Sequence, residues 1–385
     1  LAIRVLLLRH GLSTYNVQGR IQGRDDDSTL TAAGEAMACR TGEVLDDIHL
    51  DVVLSSPLRR AAHRADGSSY KPICDLHGQA QRFWHKLCQH QNHTTILVVA
   101  HNAILRCLVL AALGLGPEHF SRLRLDNCAL SVLNLEPSGG SQDPTVQLES
   151  LNSTMHLNPL VPGPRRGVRI LLLRHGETDW NRQRRFQGQI DVPLNAAGRQ
   201  QAQQACRLLQ QSSIQRAYSS PLARPRETAE LVLAHHRDVP LTTCPGLLEI
   251  GHGLWEGKLE KDIQTQWPQL LDTWKVAPQQ VVMPGPGGET IQQVWQRAVT
   301  TMATIAQDLT EGDTALVVAH DAVNKTILCH LLGLSPAHIW SVKQGNGAVS
   351  IIDYPEGGKG SPVVHSLNLT GHLGGILDET TAGAL

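Results

Sequence analysis

The sequence has no excess of charge of either sign: 34 lysines and arginines stand against 35 aspartates and glutamates in 385 residues. That balance leaves no electrostatic footprint for nucleic acid. There is no uninterrupted apolar run long enough to span a bilayer, so no membrane partner is expected. A basic-then-apolar secretory leader is also missing, because the chain opens almost at once on strand-like Ile3–Leu8. The first residue is Leu1 rather than Met, which suggests trimming and leaves room for a lost targeting peptide. The expected location is the cytoplasm, or the plastid stroma where that peptide is a transit peptide. The eight cysteines have no Cys-x-x-Cys spacing and read as reduced thiols of a reducing compartment.

Metal-site patterns are missing as well. Of the 19 histidines, the pair His235-His236 and the group Cys88, His90 and His93 come nearest. Neither has a second ligand pair at zinc spacing, so both read as solvated surface histidines, and no metal and no cofactor is expected. Gly357-Gly-Lys-Gly-Ser361 lacks the first glycine of a phosphate loop and the apolar helix that should follow it. We read it as a surface turn. Nothing in the sequence specifies an oligomeric state.

What is present is a repeat. Arg4-Val-Leu-Leu-Leu-Arg-His-Gly11 returns as Arg169-Ile-Leu-Leu-Leu-Arg-His-Gly176. A length of 385 residues accommodates two domains, each with its own core. In the second half, strand-like Val168–Leu173, Ile214–Tyr218 and Ala315–Ala319 alternate with helical periods at Asn195–Leu209, Arg224–Ala234 and Val323–Leu332. The first half repeats the order with Ile3–Leu8, Asp51–Ser55 and Thr95–Ala100, and the closing segments Ser150–His156 and Ser366–His372 also match. Such alternation predicts an α/β fold: two tandem domains, each a mostly parallel sheet with helices on both faces, and ligands beyond the carboxyl ends of the strands. We expect domain one over 1–157, a Pro-rich linker over 158–167 and domain two over 168–376.

The register of the repeat is informative. His175 follows His10 by 165 positions and Arg224 follows Arg60 by 164, but His320 follows His101 by 219. The first copy therefore lacks about 55 residues between Arg60 and His101, while the offset elsewhere drifts only slightly.

Five motifs occur in order in the second copy. They are Arg174-His-Gly-Glu-Thr-Asp-Trp-Asn181 with Phe186-Gln-Gly188, Pro193-Leu194 and Gly198; Ser219-Ser-Pro-Leu-Ala-Arg224 with Thr228-Ala229; Leu248-Glu249 with Gly253-Leu-Trp-Glu-Gly257; Gly287-Gly-Glu-Thr290 with Arg297; and Val317-Val-Ala-His320. Together they closely resemble the histidine phosphatase (phosphoglycerate mutase-like) superfamily. The wording of the first copy at Ile21-Gln-Gly23, Val99–Ala103 and Asn127–Ser131 resembles the double-domain phosphatases of cyanobacteria and chloroplasts. The resemblance implies phosphoglycerate mutase-like folds and a phosphomonoesterase working through a phosphohistidine on a small phosphorylated metabolite.

Physical chemistry fits the same residues. A phosphoryl group carries about two negative charges at neutral pH, which the guanidiniums of Arg174 and Arg224 can neutralise by bidentate bonds. His175 is the expected nucleophile, its second ring nitrogen held by a backbone carbonyl. His320, at a strand end before a helix, is expected as a cationic ring beside helix N–H groups. Glu249 occupies the family's acid position, with its pKa raised by the nearby phosphate. Thr178, Asn181, Gln187 and Gly188 are expected to contact substrate. Taken singly, each of these would more often be structural; their ordered co-occurrence decides otherwise. For Glu289, Arg297 and Asn346 the two readings stand level. Trp255, Trp267 and Trp274 read as the packing of a helical lid, and specificity is expected in Gly251–Pro286.

The first copy keeps Arg9, His10, Asn16, Arg60 and His101, a second phosphate pocket, but not the acid. Its only carboxylates between Arg60 and His101 are Asp66 and Asp75, and Asp75 begins a stretch matching Gly287–Arg297. Three accounts fit: a non-catalytic anion-binding or packing partner, a deletion variant, or a lid missing at the abrupt join near Ala65–Ser68. The third is preferred. For the activity, Glu249-Ile-Gly-His-Gly253 differs from the Glu-Arg-His-Tyr-Gly wording of cofactor-dependent mutases, which favours hydrolysis over phosphoglycerate mutase-type transfer. A two-domain scaffold is the third class, opposed by the joint presence of Arg174, His175, Arg224, Glu249 and His320. A sugar phosphate of carbon metabolism is the expected substrate, with phosphoserine and a cobalamin-precursor phosphate as alternatives.

Overall fold

Val168–Arg174 is buried at every position, as a strand covered on both faces requires. It is the central strand of the second of two units, Leu1–Asn158 and Pro159–Leu385, into which the chain divides. The computed structural model describes residues 2–20, 28–56, 72–89, 94–136, 144–158, 161, 164, 166–375 and 377–380. Arg60, the Ile21–Gly23 motif, His90, His93, the Ala65–Ser68 join and much of the expected linker lie outside them.

In the first unit the strands are β1 (Ile3–Arg9), β2 (Val52–Ser55), β3 (Thr95–Ala100), β4 (Leu130–Glu136) and β5 (Thr145–Ser153), in the order β2-β3-β1-β4-β5. The second unit carries β6 (Val168–Arg174), β7 (Arg216–Ser219), β8 (Leu241–Thr243), β9 (Thr314–Ala319), β10 (Val349–Tyr354) and β11 (Val363–Leu369), in the order β11-β10-β6-β9-β7-β8. Strands β6, β9, β7 and β8 run parallel, whereas β10 and β11 are antiparallel additions. The first unit has the same plan, with β2, β3 and β1 parallel and β4 and β5 antiparallel. The expected helices form as Ala196–Leu209, Ala223–Val232 and Asp321–Leu332, joined by Ile291–Gln307 and, in the first unit, Pro72–Gln89. Asp321–Leu332 is buried everywhere except His330, which marks it as a helix packed on all sides.

Strand register brings the motifs level. Arg174 pairs with Ala319 across β6 and β9, so His175 N–H donates to the Ala319 carbonyl at 3.0 Å. Ser220 N–H donates to Val318 O at 3.0 Å. Arg174, His175, Ser220 and His320 therefore leave the sheet at one edge. The glycine of the repeated motif has a backbone reason: a Cβ on Gly176 would collide with the Gly198 carbonyl, and one on Gly198 with the Glu177 carbonyl. Gly11 and Gly34 have the same relation in the first unit. The Gly357–Ser361 stretch is the turn between β10 and β11. His236, expected as solvated, is half-buried, and its Nε2 donates to the Leu209 carbonyl at 3.1 Å.

Because no small shift relieves a backbone-on-backbone collision, Gly176→Ala is expected to lower stability by about 1–3 kcal/mol. Urea unfolding checks this, and an unchanged midpoint with an unchanged slope would refute it.

Candidate active site

Arg174 ends β6 with its guanidinium buried. Nη1 donates to the Gln344 carbonyl at 2.5 Å and lies 3.4 Å from Asp321 Oδ1. Asp321 is itself buried and accepts from Lys325 Nζ at 2.8 Å, and that ammonium lies 4.9 Å from the Trp340 ring centroid. Arg224 comes from the first turn of helix Ala223–Val232 and is fully buried. Its Nη2 donates to Gly188 O at 2.7 Å, its Nη1 to Ile190 O at 3.2 Å and its Nε to His175 Nε2 at 3.3 Å. Burial pulls its pKa down to about 10.

His175 Nδ1 lies 2.7 Å from the Gly176 carbonyl. A carbonyl only accepts, so Nδ1 carries the proton and Nε2 presents a lone pair, to which Arg224 donates. Burial first, then the charges of Arg224 and Arg174, hold the His175 pKa well below its ordinary value. The ring is a neutral base with one tautomer. His320 lies edge-on to it at 5.1 Å between centroids, with Nε2 2.8 Å from Ser220 Oγ. The expected cationic His320 is corrected here: burial, then Arg224 and His175, push its pKa well below the ordinary value, so the ring is neutral in this site.

Glu249 is buried, with Oε1 accepting from Ile250 N–H at 2.9 Å and Oε2 from Ala322 N–H at 3.3 Å. Its pKa is raised by burial and then by the carboxylate of Asp321. The cause is thus built into the protein rather than supplied by a bound phosphate alone. The first-turn N–H of Ala322, expected to face phosphate, is occupied by this carboxyl. Arg297 fixes the loop that carries Glu249, donating to the carbonyls of Gly246, Leu248 and Glu249 and pairing with both oxygens of Glu289. Glu289 in turn accepts from Gly251 N–H at 2.8 Å and from Gln189. Arg297 and Glu289 are a strut under the loop of Glu249, and Asn346, donating to His175 O at 3.2 Å and Asn181 Oδ1 at 3.3 Å, is a strut under His175.

The neutral residues are placed differently from expectation. Thr178 is the N-cap of helix Asp179–Arg182, and its hydroxyl donates to Asn181 Oδ1 at 3.1 Å and Gln187 Oε1 at 2.9 Å. Its one proton is shared between these two loop acceptors and its oxygen makes the cap by accepting from Asn181 N–H at 3.2 Å, so Thr178 shapes the loop. Asn181 Oδ1 completes the capping box, while Gln187 Nε2 is buried without a partner. Gly188 acts through its carbonyl, which holds Arg224. Asp321 and Lys325 were not singled out from sequence; their i, i+4 spacing directly after His320 is the signal that could have shown the pair.

Arg9, His10 and His101 of the first unit repeat this geometry. Arg9 Nη1 donates to Leu125 O at 2.7 Å, His10 Nδ1 to Gly11 O at 2.7 Å, and the His10 and His101 rings are 4.9 Å apart. Asn127 Nδ2 bridges His10 O, Gly11 O and Asn16 Oδ1, as Asn346 does in the second unit. Among the described residues no cluster of three or more His, Cys, Asp or Glu side chains could hold a metal ion, and no helix is long and apolar enough to cross a membrane.

The fold is α/β and phosphoglycerate mutase-like. The chain belongs to the histidine phosphatase superfamily (branch 1), whose model matches residues 5–71, 63–144 and 170–370, and it is an enzyme of the histidine-type phosphatase class. It is 28% identical to the 2-carboxy-D-arabinitol-1-phosphatase of Triticum aestivum, an alignment covering 97% of this chain and 87% of that protein. It is 30% identical to phosphoserine phosphatase 1 of Hydrogenobacter thermophilus over 54% of this chain and 95% of that protein. Among solved structures, Bacillus stearothermophilus YhfR is 34% identical, covers 50% of this chain and 93% of its own, and superposes with a TM-score of 0.47.

The lid core carries a titratable liability. His252 is fully buried among Phe186 and Trp274, with neither ring nitrogen hydrogen-bonded, and burial lowers its pKa from 6.5 to about 3. The unfolded chain takes up this proton below pH 6.5 while the folded chain does not, so stability falls as pH drops from 6.5 toward 3, by about 1.4 kcal/mol per unit. His252→Phe should flatten the melting temperature across that window; an equally steep acid loss in the variant would refute the assignment.

Proposed function

We propose that the second unit hydrolyses a phosphomonoester of a small metabolite through a phosphohistidine on His175. The observation that carries this is the single tautomer of His175: Nδ1–H is pinned on Gly176 O, and Nε2 is unprotonated beside Arg224. In the first half-reaction Nε2 attacks phosphorus and the bond from phosphorus to the ester oxygen breaks. Glu249, whose pKa burial and Asp321 raise, gives its proton to that oxygen. In the second, the Glu249 carboxylate takes a proton from water, the hydroxide oxygen bonds to phosphorus, and the phosphorus–nitrogen electron pair returns to Nε2. Arg174, Arg224 and the His320–Ser220 pair surround the transferring oxygens, and Asn181, Gln187 and Gly188 support the cradle.

The substrate class follows from the relatives. The wheat relative, matched along nearly the whole chain, is named for a phosphorylated sugar acid, which supports a sugar phosphate of carbon metabolism. Phosphoserine, named by the Hydrogenobacter relative, is the competing substrate. For the first unit we keep the account preferred from sequence, a lid missing between Arg60 and His101, and propose that the remaining pocket binds an oxyanion. Arg9, His10 and His101 are arranged as their counterparts are, yet the sequence between Arg60 and His101 holds no Glu-x-x-x-Gly-x-Trp-Glu-Gly motif.

A panel of phosphorylated metabolites, assayed with wild type, His10→Ala and His175→Ala, tests the reading. His175→Ala should abolish phosphate release and acid-labile labelling of the protein, and His10→Ala should leave both. Phosphate release surviving in His175→Ala would refute it, and stoichiometric isomerised product from 3-phosphoglycerate with little free phosphate would replace hydrolysis with transfer.

Glu249→Gln should lower turnover by roughly 10²–10⁴-fold. Because Glu249 must be protonated to donate, wild-type activity should fall as pH rises through its raised pKa, and the variant should lack that alkaline limb. An unchanged limb would remove Glu249 from the acid role.

A further inference from the structure

The two units meet one structural demand in different ways. In the first, Asp126 follows the Leu125 carbonyl that receives Arg9. Asp126 N–H donates to Asn152 Oδ1 at 2.6 Å, Asn152 Nδ2 donates back to Asp126 Oδ2 at 3.2 Å, and Arg124 Nε donates to Asp126 Oδ1 at 3.1 Å. Asn152 holds this pose in the left-handed region, at φ 55°.

The second unit repeats every part except the carboxylate. The Gln344 carbonyl receives Arg174, Gly345 N–H donates to Asn368 Oδ1 at 2.7 Å, Asn368 is left-handed at φ 52°, and Lys343 stands where Arg124 does. The residue matching Asp126 is Gly345, which has no side chain to offer. Asp378, from the segment after β11, fills the place. Its Oδ2 accepts from Asn368 Nδ2 at 3.0 Å and lies 3.4 Å from Lys343 Nζ, and its side chain is 1% exposed. Oδ1 accepts from the amide and hydroxyl of Thr380 at 2.9 and 2.6 Å. A Cβ on Gly345 would lie 2.9 Å from both Asp378 oxygens and collide with the Thr380 hydroxyl, so the space left by the glycine is where the Asp378 carboxylate fits.

We infer that residues 377–380 form a strap whose Asp378 is a positioning residue for Arg174 and His175, supplying from the end of the chain the carboxylate that Asp126 supplies within the first unit. The strap acts through loop 343–347. Gln344 O receives Arg174, Gly347 N–H donates to Arg174 O at 3.1 Å and His175 O at 3.3 Å, and Asn346 bonds His175 O. Without Asp378, the Asn368 amide and the largely buried Lys343 lose the carboxylate that holds this loop in register. The inference rests on the second unit being the phosphatase.

The test compares wild type, Asp378→Ala and Asp378→Ala/Gly345→Asp in the full chain. The double variant moves the carboxylate to its position in the first unit; Gly345 is not in the left-handed region, and removal of the Asp378 carboxylate frees Thr380 from both of its bonds to Oδ1, so that its hydroxyl can yield the space a side chain at 345 needs. Measured are kcat and KM on a phosphomonoester, orthovanadate affinity by calorimetry, and melting temperature. Asp378→Ala should weaken vanadate binding and kcat/KM roughly tenfold, by displacing Arg174. The added Gly345→Asp should restore most of both. A lower melting temperature with wild-type vanadate affinity and kcat/KM would overturn the inference, as would a folded double variant no better than Asp378→Ala. Asp378→Asn, which keeps the volume, replaces the alanine variant if that one does not fold and is held to the same outcomes. His175→Ala runs alongside. Phosphate release persisting there would refute the phosphatase reading, while the vanadate measurement would still decide the strap.

Discussion

The rest of the second unit depends on keeping two guanidiniums buried without an ion pair that cancels both. Arg174 and Arg224 face one small volume at the carboxyl edge of β6, β7 and β9, and their partners are mainly carbonyls: Gln344, Gly188 and Ile190. Carbonyls orient a guanidinium and satisfy its protons without adding a negative charge, and the one carboxylate beside Arg174, Asp321, is shared with Lys325. That guanidinium charge suits the site to an oxyanion and adds to burial in lowering the pKa values of His175 and His320. It also requires the backbone around the site to be rigid, because each charge is held by loop geometry. The glycine contacts, the Thr178–Asn181 capping box and the Asn346 bridge all meet that requirement.

The acid stands on a separate support. Glu249 lies beside buried Asp321, whose negative charge adds to burial in raising the Glu249 pKa. Asp321 does not destabilise the site because it lies between Lys325 and Arg174. The Arg297–Glu289 pair then ties the loop of Glu249 to helix Ile291–Gln307 by three carbonyls and a carboxylate. His175 and Glu249 are thus held by different elements. This explains how the first copy can keep the geometry of Arg9, His10 and His101 although its sequence carries no counterpart of the acid's motif.

Much of the fold was legible because the parallel strands are continuous apolar runs. Ile170–Leu173 and Leu316–Val318 are apolar throughout, as strands covered on both faces must be. The antiparallel pair β10 and β11 was not legible as strands. Val363–Leu369 carries His365, Ser366 and Asn368, polar residues that are nonetheless buried and hydrogen-bonded within the unit. Only the match between Ser150–His156 and Ser366–His372 signalled that this segment had a structural role. In the site, Arg174, His175, Arg224, Glu249 and His320 were legible from ordered motifs, whereas Thr178 was assigned to substrate because sequence does not show where a hydroxyl proton goes. Gln344 offered no signal at all, since it acts through a carbonyl that every residue possesses.

The sequence by itself determined the repeat, the order of the α/β elements and which side chains are candidates for the chemistry, because these depend on local apolar periodicity and on residue type. Tertiary structure decided the protonation states and the supports. His320 is neutral because three-dimensional packing removes water and brings Arg224 and His175 against it. Asp378 occupies the place of Asp126 because a carboxylate can reach a buried slot from any part of the chain that the fold delivers there. A hydrogen bond depends on position in space, and sequence distance enters only through the fold.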